Sequence, residues 1–249
     1  MDGVRMLAAG EQGLVVEFGE TISAEINVRV HQTARKLTEL LGDKIMEVVP
    51  TYRSFLVYFN PLVISRQELA AQVENILSQV QQAAHGQTTA KVVKIPVCYD
   101  EEFGPDLSFV AAHNGLSVPA VIDIHTSTPY LVYMIGFTPG FPYLGGMSEQ
   151  IATPRLEKPR TKIPAGSVGI AGSQTGFYPI ESPGGWRLIG RTPVKAFMPG
   201  QAKPFLFEAG DYLQFQSVTR EEYARIEAAV AAGRYAPDVT SLTVGGGRA

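Results

Sequence analysis

Glycine and proline are concentrated in the middle of this chain, and this concentration restricts its fold more than any other feature. Residues 136–200 contain 12 of the 25 glycines and 9 of the 17 prolines. A turn-forming residue every few positions leaves no room for a long helix and favours short strands joined by tight turns. We therefore predict a mainly-β domain over residues 86–218, most simply a barrel.

The first 85 residues have the patterns of a small α+β domain. Apolar residues recur at helical spacing from Ile26 to Leu41, and Ser65 with Glu68 forms a capping box that opens a second helix. The predicted strands are residues 14–18, 45–51 and 54–59. The resulting order β-α-β-β-α predicts a small sheet with two helices on one side.

The C-terminal part is predicted as one helix followed by a loose tail. Thr219 and Glu222 form a second capping box, so we expect a helix over 219–233 that packs on the core. Residues 234–249 are expected to be a tail.

Charge and hydropathy exclude several classes of protein. Twenty-one Lys and Arg against twenty-four Asp and Glu give a net charge of −3, which does not suit a general nucleic-acid binder. No apolar run approaches the roughly 18 residues that cross a bilayer, and no secretion signal is visible. The single cysteine, Cys98, excludes an internal disulfide. We expect a cytoplasmic protein that binds neither membrane nor nucleic acid.

Several catalytic groups are missing from the segment rich in glycine and proline. There is no Asp between Asp123 and Asp211 and no His after His125, so this segment alone cannot form a Ser-His-Asp triad or a histidine metal site. We predict no metal site, and the catalytic residues stay unassigned. Cys98 is interpreted as a buried apolar filler. His125 precedes a predicted strand and is a candidate for a polar role.

Positive charge accumulates between residues 151 and 195, where the local net charge is +5. One interpretation is a solvated face. The other is a binding site, because arginines held by rigid turns lose little entropy when they grip a carboxylate or phosphate. The candidate ligands of such an anion are Arg155, Arg160 and Arg191.

Amide, hydroxyl and aromatic groups lie among these charges. Gln174, Tyr178 and Trp186 suit a small polar ligand, although core packing is an equal alternative for the tryptophan. In the stretch 166–176, backbone amides of Gly166, Ser167 and Gly169 form either barrel turns or an anion-binding nest.

The sequence GFTPGFPYLGG at 136–146 spaces three aromatic side chains with glycine and proline. It is interpreted as a rigid apolar turn that packs on the barrel, as a pocket wall, or as a surface for a partner. The residues concerned are Phe137, Phe141 and Tyr143.

Long motifs in this region resemble one family. They are YMIGFTPGFPYLGGM at 133–147 and TPRLEKPRTKIPAGSVGIAGSQTGFYPIESPGGWRLIGRTP at 153–193, with PTYRSFLVYFNP at 50–61 and EAGDYLQF at 208–215. The chain resembles the family of 5-oxoprolinase B subunits, which also contains the KipI-type kinase inhibitor and allophanate hydrolase subunit 1.

The resemblance implies a cyclophilin-like barrel as the second domain and an ATP-dependent system. In that system the B and C subunits activate 5-oxo-L-proline with ATP and magnesium, and the A subunit completes ring opening to L-glutamate. The resemblance also leaves two alternatives, an inhibitor of a sporulation-type histidine kinase and a carboxyltransferase-like protein. It implies no catalytic residues, so the site residues above are predictions from position and chemistry.

Overall fold

The computed structural model describes residues 3–83, 88–136 and 138–244. The chain packs into two compact units. The first contains residues up to 89 and those from 243 onward, and the second contains residues 90–242. The domain boundary predicted at residues 85 and 86 lies outside the described residues.

The first unit is a four-stranded antiparallel sheet with two helices. Its elements are β1 (Arg5–Ala9), β2 (Gly13–Glu17), α1 (Ala24–Leu41), β3 (Ile45–Pro50), β4 (Ser54–Phe59) and α2 (Arg66–Ala83). The strand order is β1-β2-β4-β3. Alternate residues of β2 and β4 are buried together with the apolar faces of both helices. This alternation is what half-buried strands require.

Local capping explains where these helices begin. The Ser23 hydroxyl accepts a hydrogen bond from the backbone N–H of Ile26, which starts α1. Ser65 and Glu68 exchange side-chain and backbone hydrogen bonds at the start of α2, so the predicted capping box is present.

Strand β1 is absent from the predicted order β-α-β-β-α. The observed order is β-β-α-β-β-α, because β1 pairs along its full length with β2. Four of its five residues are exposed. An edge strand that buries so little shows no alternation of core and surface positions, which is the signal on which strand prediction depends.

The second unit is mainly β. Its strands are β5 (Thr88–Val97), β6 (Tyr130–Ile135), β7 (Pro142–Gly145), β8 (Arg160–Ile163), β9 (Ser167–Ala171), β10 (Gln174–Phe177), β11 (Ser182–Gly184), β12 (Arg187–Arg191), β13 (Tyr212–Ser217) and β14 (Val239–Val244). Its helices are α3 (Leu107–His113), α4 (Val118–Ser127) and α5 (Arg220–Ala231). A 3-10 turn covers Glu149–Ile151.

The second unit has three sheets, and the two larger ones share a core, whereas Ile163 of the smallest sheet packs in a separate cluster with Tyr178 and Trp186. A five-stranded sheet has the order β14-β5-β13-β6-β7, a three-stranded sheet the order β10-β9-β12, and β11 pairs with β8. Ile95 and Phe215 from the large sheet are buried with Val168, Ile170 and Phe177 from the three-stranded one. A core enclosed between sheets is the arrangement that short strands and frequent turns favour.

The segment predicted as a loose tail contains the strand β14, so that prediction was wrong. The backbone N–H of Lys94 donates to the carbonyl of Asp238 over 2.9 Å, and the two side chains form an ion pair at 2.8 Å. The glycines that suggested a tail, at 245–247, follow the strand, and the residues of β14 whose burial is described are mostly exposed, so it has no alternation of buried and exposed positions. The predicted helix after Thr219 is confirmed as α5, with its capping box.

Within the described ranges, no single helix is both long and apolar enough to cross a membrane, although α3 and α4, bent by 94° at the break between them, pass that test as a pair. Both helices bury apolar residues in the core of the second unit, among them Val110 and Val121.

Candidate functional site

A cavity of about 500 Å³ lies in the second unit, between the turn that precedes β7 and the strands β10 to β12. Its size is within the range of pockets for small ligands. The described residues that line it are Gly136, Thr138, Phe141, Tyr143, Arg155, Gln174, Tyr178, Ser182, Pro183, Gly184, Gly185 and Trp186. Six of the residues predicted from the sequence are therefore in one place: Phe141, Tyr143, Arg155, Gln174, Tyr178 and Trp186.

The walls of the cavity are aromatic, and Phe141 is at their centre. Its ring lies edge-on to Tyr178 and to Trp186, with centroids 5.7 Å apart in both pairs, and tilted against Tyr143 at 5.4 Å. Edge-to-face geometry is favourable because the positive ring edge meets the negative face of its neighbour. Tyr178 and Trp186 are almost fully buried, so the walls are rigid.

Close approach to glycine fixes two of these rings. A Cβ at Gly184 would overlap the hydroxyl of Tyr178, and a Cβ at Gly136 would come within 2.7 Å of Cε2 of Tyr143. The two glycines are required because the rings occupy the space of a side chain. The glycines of this segment therefore make room for the aromatic walls of the cavity as well as forming turns.

Arg155 supplies the charge at the rim, and its backbone is held on both sides. The backbone N–H of Leu156 donates to the carbonyl of Gly185 over 2.7 Å, and Thr153 forms a bridge with Gly172. The Arg155 side chain is exposed on a fixed backbone, so little backbone entropy is lost when it grips an anion.

Tyr178 presents a neutral hydroxyl at the cavity. Burial raises the pKa of Tyr178, although a hydrogen bond with the Trp186 backbone and the positive charges of Arg155 and Arg160 oppose the rise. The group therefore stays protonated at neutral pH and can donate a hydrogen bond. Gln174, the first residue of β10, adds an amide that both donates and accepts.

Arg160 and Arg191 are outside the cavity lining. The two terminal nitrogens of Arg160, Nη2 and Nη1, contact Oδ1 and Oδ2 of Asp106 at 3.0 and 2.9 Å. The guanidinium of Arg191 lies over the ring of Phe103, 4.9 Å from its centroid, and its strand bridges Cys98. Both arginines are engaged by other parts of the second unit, and the prediction that they bind an anion stays a prediction.

The amides predicted as an anion nest are used within the sheet. The N–H of Gly166 donates to the carbonyl of Tyr178 over 2.7 Å, and that of Ser167 donates to Pro164 over 3.3 Å. Gly169 lies in the middle of β9, between Gly176 and Leu188 of the neighbouring strands. These amides therefore form strand and turn hydrogen bonds within the fold, as the first of the two interpretations of this stretch requires.

The aromatic motif at 136–146 forms a pocket wall. Phe141 and Tyr143 line the cavity, and Phe137 lies outside the described residues. Sequence reasoning missed two polar lining residues, Thr138 and Ser182. Both lie inside the motifs that carry the family resemblance, which was the only signal available for them.

A buried polar chain lies behind β10. His125 is fully buried, with Nδ1 2.7 Å from the Tyr99 hydroxyl and Nε2 2.7 Å from that of Thr175. Because the Thr175 hydroxyl donates to the carbonyl of Gly169, it accepts from Nε2–H, and Nδ1 accepts from Tyr99. Burial lowers the pKa of His125 to about 3, so the ring is neutral. The candidate polar role of His125 is thus to hydrogen-bond two hydroxyl groups in the core.

Among the residues that the structure describes, no group of three or more His, Cys, Asp or Glu side chains is placed to hold a metal ion. The charged group in the described part of the cavity lining is Arg155. The arrangement can therefore bind a small ligand that is flat, polar and negatively charged at one end.

The comparisons with known proteins agree with the motifs. Residues 4–207 match the family described as the carboxyltransferase domain, subdomain C and D. The 5-oxoprolinase B subunit of Bacillus subtilis (strain 168) is 43% identical over 222 residues, which are 86% of this chain and 92% of that protein.

Solved structures show the same fold inside longer chains. The crystal structure of TTHA0988 is 37% identical with a TM-score of 0.73, and the match covers 83% of this chain and 40% of that one. The Kluyveromyces lactis urea carboxylase has a TM-score of 0.78 at 22% identity, over 98% of this chain and 24% of its own length. The chain thus spans less than half of either solved relative.

The extent and identity of these matches place the chain in the carboxyltransferase subdomain C and D family and, within it, among the 5-oxoprolinase B subunits.

Proposed function

We propose that this chain is the B subunit of an ATP-dependent 5-oxoprolinase. It acts with the C subunit to activate 5-oxo-L-proline with ATP and magnesium, and the A subunit completes ring opening to L-glutamate. The chain contributes part of a shared site and is inactive alone. It works in the cytoplasm, and its second unit is a barrel of the cyclophilin-like type.

The observation that carries this proposal is the composition of the cavity. One end of 5-oxoproline is a carboxylate and the other is a planar lactam with one N–H donor and one carbonyl acceptor. Arg155 at the rim suits the carboxylate. The Gln174 amide matches the lactam, since it offers one acceptor and one donor in the same plane. The Tyr178 hydroxyl donates to the lactam carbonyl.

The aromatic walls would hold the ring of such a ligand and exclude water. Phe141, Tyr178 and Trp186 present apolar faces and edges around the polar groups. Polar contacts in a site shielded from water are stronger than in solvent, because the local dielectric is lower. Binding and orientation are therefore the role we assign to this chain.

Activation of a lactam by ATP requires charge neutralisation and alignment more than covalent help from the protein. The groups that bind ATP, magnesium and the attacking water are assigned to the assembled complex. The longer relatives support this division, because the matched segment is 40% of the TTHA0988 chain.

The kinase-inhibitor alternative depended on an exposed aromatic surface. Two of the three residues nominated for it, Phe141 and Tyr143, line the cavity. The cavity therefore favours the enzyme component over the inhibitor.

The test is 5-oxoproline-dependent ADP release. We expect no activity from this chain alone and turnover when the C and A subunits are added. Arg155→Ala should raise KM for 5-oxoproline by about tenfold or more, as expected for a lost charged hydrogen bond of roughly 1.5–3 kcal/mol. Lys158→Ala, at an exposed cation three residues away, is the matched control and should leave KM unchanged.

Two results would contradict the proposal. The first is a fully assembled complex that releases no ADP with 5-oxoproline. The second is an Arg155→Ala complex whose KM and kcat both equal those of the unsubstituted protein.

A further inference from the structure

Asp106 is a buried carboxylate outside the cavity, and it holds the strand that begins immediately after Trp186. The residue is 7% exposed. Its backbone N–H donates to the carbonyl of Leu188 over 2.9 Å, and its Oδ2 accepts from the N–H of Leu188 over 2.7 Å. This reciprocal pair ties the start of α3 to β12 at a point two residues beyond the tryptophan.

Arg160 extends this contact to Trp186 itself. Its guanidinium forks onto both oxygens of Asp106, and Nη1 also donates to the Trp186 carbonyl over 3.4 Å. The side chain of Arg160 is 30% exposed and that of Asp106 10% exposed, so the ion pair is partly shielded from water. A bidentate arginine–carboxylate pair has a fixed geometry, which a lysine cannot reproduce.

The backbone on each side of the tryptophan ring is thereby held. The Trp186 carbonyl is bound by Arg160, and the Leu188 N–H is bound by Asp106. A strand held at polar groups on both sides of Arg187 resists rotation about its axis, which restricts the direction in which the Trp186 side chain leaves the backbone. The ring contacts with Phe141 and Tyr178 then orient the indole at the cavity.

We propose that Asp106, acting through Arg160, is a positioning residue for the Trp186 wall of the cavity. The electrostatic influence of Arg160 on Tyr178 is independent support, because it places the same guanidinium near a second wall residue. A wall held by a charge pair keeps its place when the cavity is empty. A ligand then need not spend binding energy on ordering the wall.

The fluorescence of Trp186 reports this directly, because it is the only tryptophan in the chain. Asp106→Asn keeps an oxygen for the Leu188 N–H but removes the charge that Arg160 grips. Arg160→Gln removes the fork from the other side. Lys162→Gln is the matched control, since Lys162 is on the same strand as Arg160 and forms an exposed ion pair with Glu181.

Three quantities are measured on the full chain: the acrylamide quenching of Trp186, the Kd for 5-oxoproline from the change in its emission, and the melting temperature. We expect Asp106→Asn and Arg160→Gln to raise the quenching constant about twofold and Kd about fivefold or more, because a site whose supporting contacts are loose holds its ligand less well. The Lys162→Gln control should change neither the quenching constant nor Kd. The double variant should be no worse than either single variant, because both act on one contact.

The inference is overturned if both substitutions lower the melting temperature but leave quenching and Kd unchanged, which would be a purely structural role. It is also overturned if the two effects add in full, since the residues would then act separately. Only the Kd measurement rests on the proposed function. If the unsubstituted chain does not bind 5-oxoproline, the proposed ligand is wrong, and the quenching constants alone decide whether Asp106 positions the wall.

Discussion

The ring of Phe141 stands edge-on to the indole of Trp186, with 5.7 Å between their centroids and 82° between their planes. The same ring meets Tyr178 at the same distance and angle, so one half-buried phenylalanine supports two buried aromatic walls. The turn that precedes β7 is thereby joined to β10 and to the start of β12. The cavity depends on this junction.

Replacing Phe141 with leucine should therefore destabilise the second unit. Each aromatic pair contributes about 0.5–1.5 kcal/mol beyond simple burial, so we expect a loss of roughly 1–3 kcal/mol in the free energy of unfolding. Urea denaturation measures it. Phe109→Leu is the control, because that ring is 45% exposed, and it should cost clearly less. Equal losses in the free energy of unfolding for the two variants would show that the contacts of Phe141 add no stability beyond that of an ordinary exposed ring.

Alanine at Gly184 should disturb the cavity through Tyr178. The added Cβ overlaps the Tyr178 hydroxyl, so the ring must move and ligand affinity should fall. Removing the hydroxyl relieves part of this overlap. A Tyr178→Phe, Gly184→Ala double variant should thus bind better than the sum of the two single losses predicts. Kd values from Trp186 fluorescence test this, and strict additivity of the losses would contradict it.

The stability of the second unit should fall in acid because of His125. The pKa of His125 is lowered to about 3 in the folded protein by burial, against an ordinary value of 6.5. Between these values the unfolded chain binds a proton that the folded chain does not, so stability is lost as the pH falls below 6.5. The loss approaches roughly 1.4 kcal/mol per pH unit and ends near pH 3.

His125→Gln isolates this contribution, because glutamine can accept from Tyr99 and donate to Thr175 without titrating. Urea denaturation at neutral pH and in mild acid, between the two pKa values, should show a smaller pH effect in the variant than in the unsubstituted chain. His113→Gln, at an exposed helical position, should leave the pH effect as it is. If His125→Gln preserves the full pH effect, the titrating group is another one.

Cys98 should react with thiol reagents only when the second unit opens. The residue is 1% exposed, and burial raises the pKa of its thiol, so little thiolate is available at neutral pH. The reaction with a disulfide reagent should be slow in the native protein and complete in urea. A rate that tracks the equilibrium between folded and open forms is expected. Rapid stoichiometric reaction of the native chain would contradict it.

Sequence patterns predicted the parts of the fold that bury regular faces. The helix from Ala24 to Leu41 has its apolar residues at helical spacing, and strands such as Ser54–Phe59 bury every second residue. The exposed strand Arg5–Ala9 and the terminal strand Val239–Val244 lack such a pattern, because hydrogen bonds to a neighbouring strand place them in their sheets. Backbone hydrogen bonds between strands do not require particular side chains, so they cannot be recognised from the sequence pattern.

Position in the chain and side-chain chemistry predicted part of the candidate site. Phe141, Gln174 and Trp186 were nominated from their motifs and side-chain chemistry, and all three line the cavity. Arg155 and Arg160 could not be told apart from sequence. Only the structure shows that Asp106, 54 residues before Arg160, neutralises one of them and leaves the other at the rim.

Strands β5 and β13 lie side by side and parallel, with Val92 beside Tyr212 and Val97 beside Ser217. On the ribosome, β5 emerges while every strand from β6 to β13 is still to be made. The residues of β5 that are buried in the folded protein, including Val93 and Ile95, therefore lack their partner strand β13 until it has been synthesised. Pairing across such a sequence distance is slow and exposes apolar strand to aggregation. The centre of this sheet closes late in synthesis, and the nascent chain needs protection until it does.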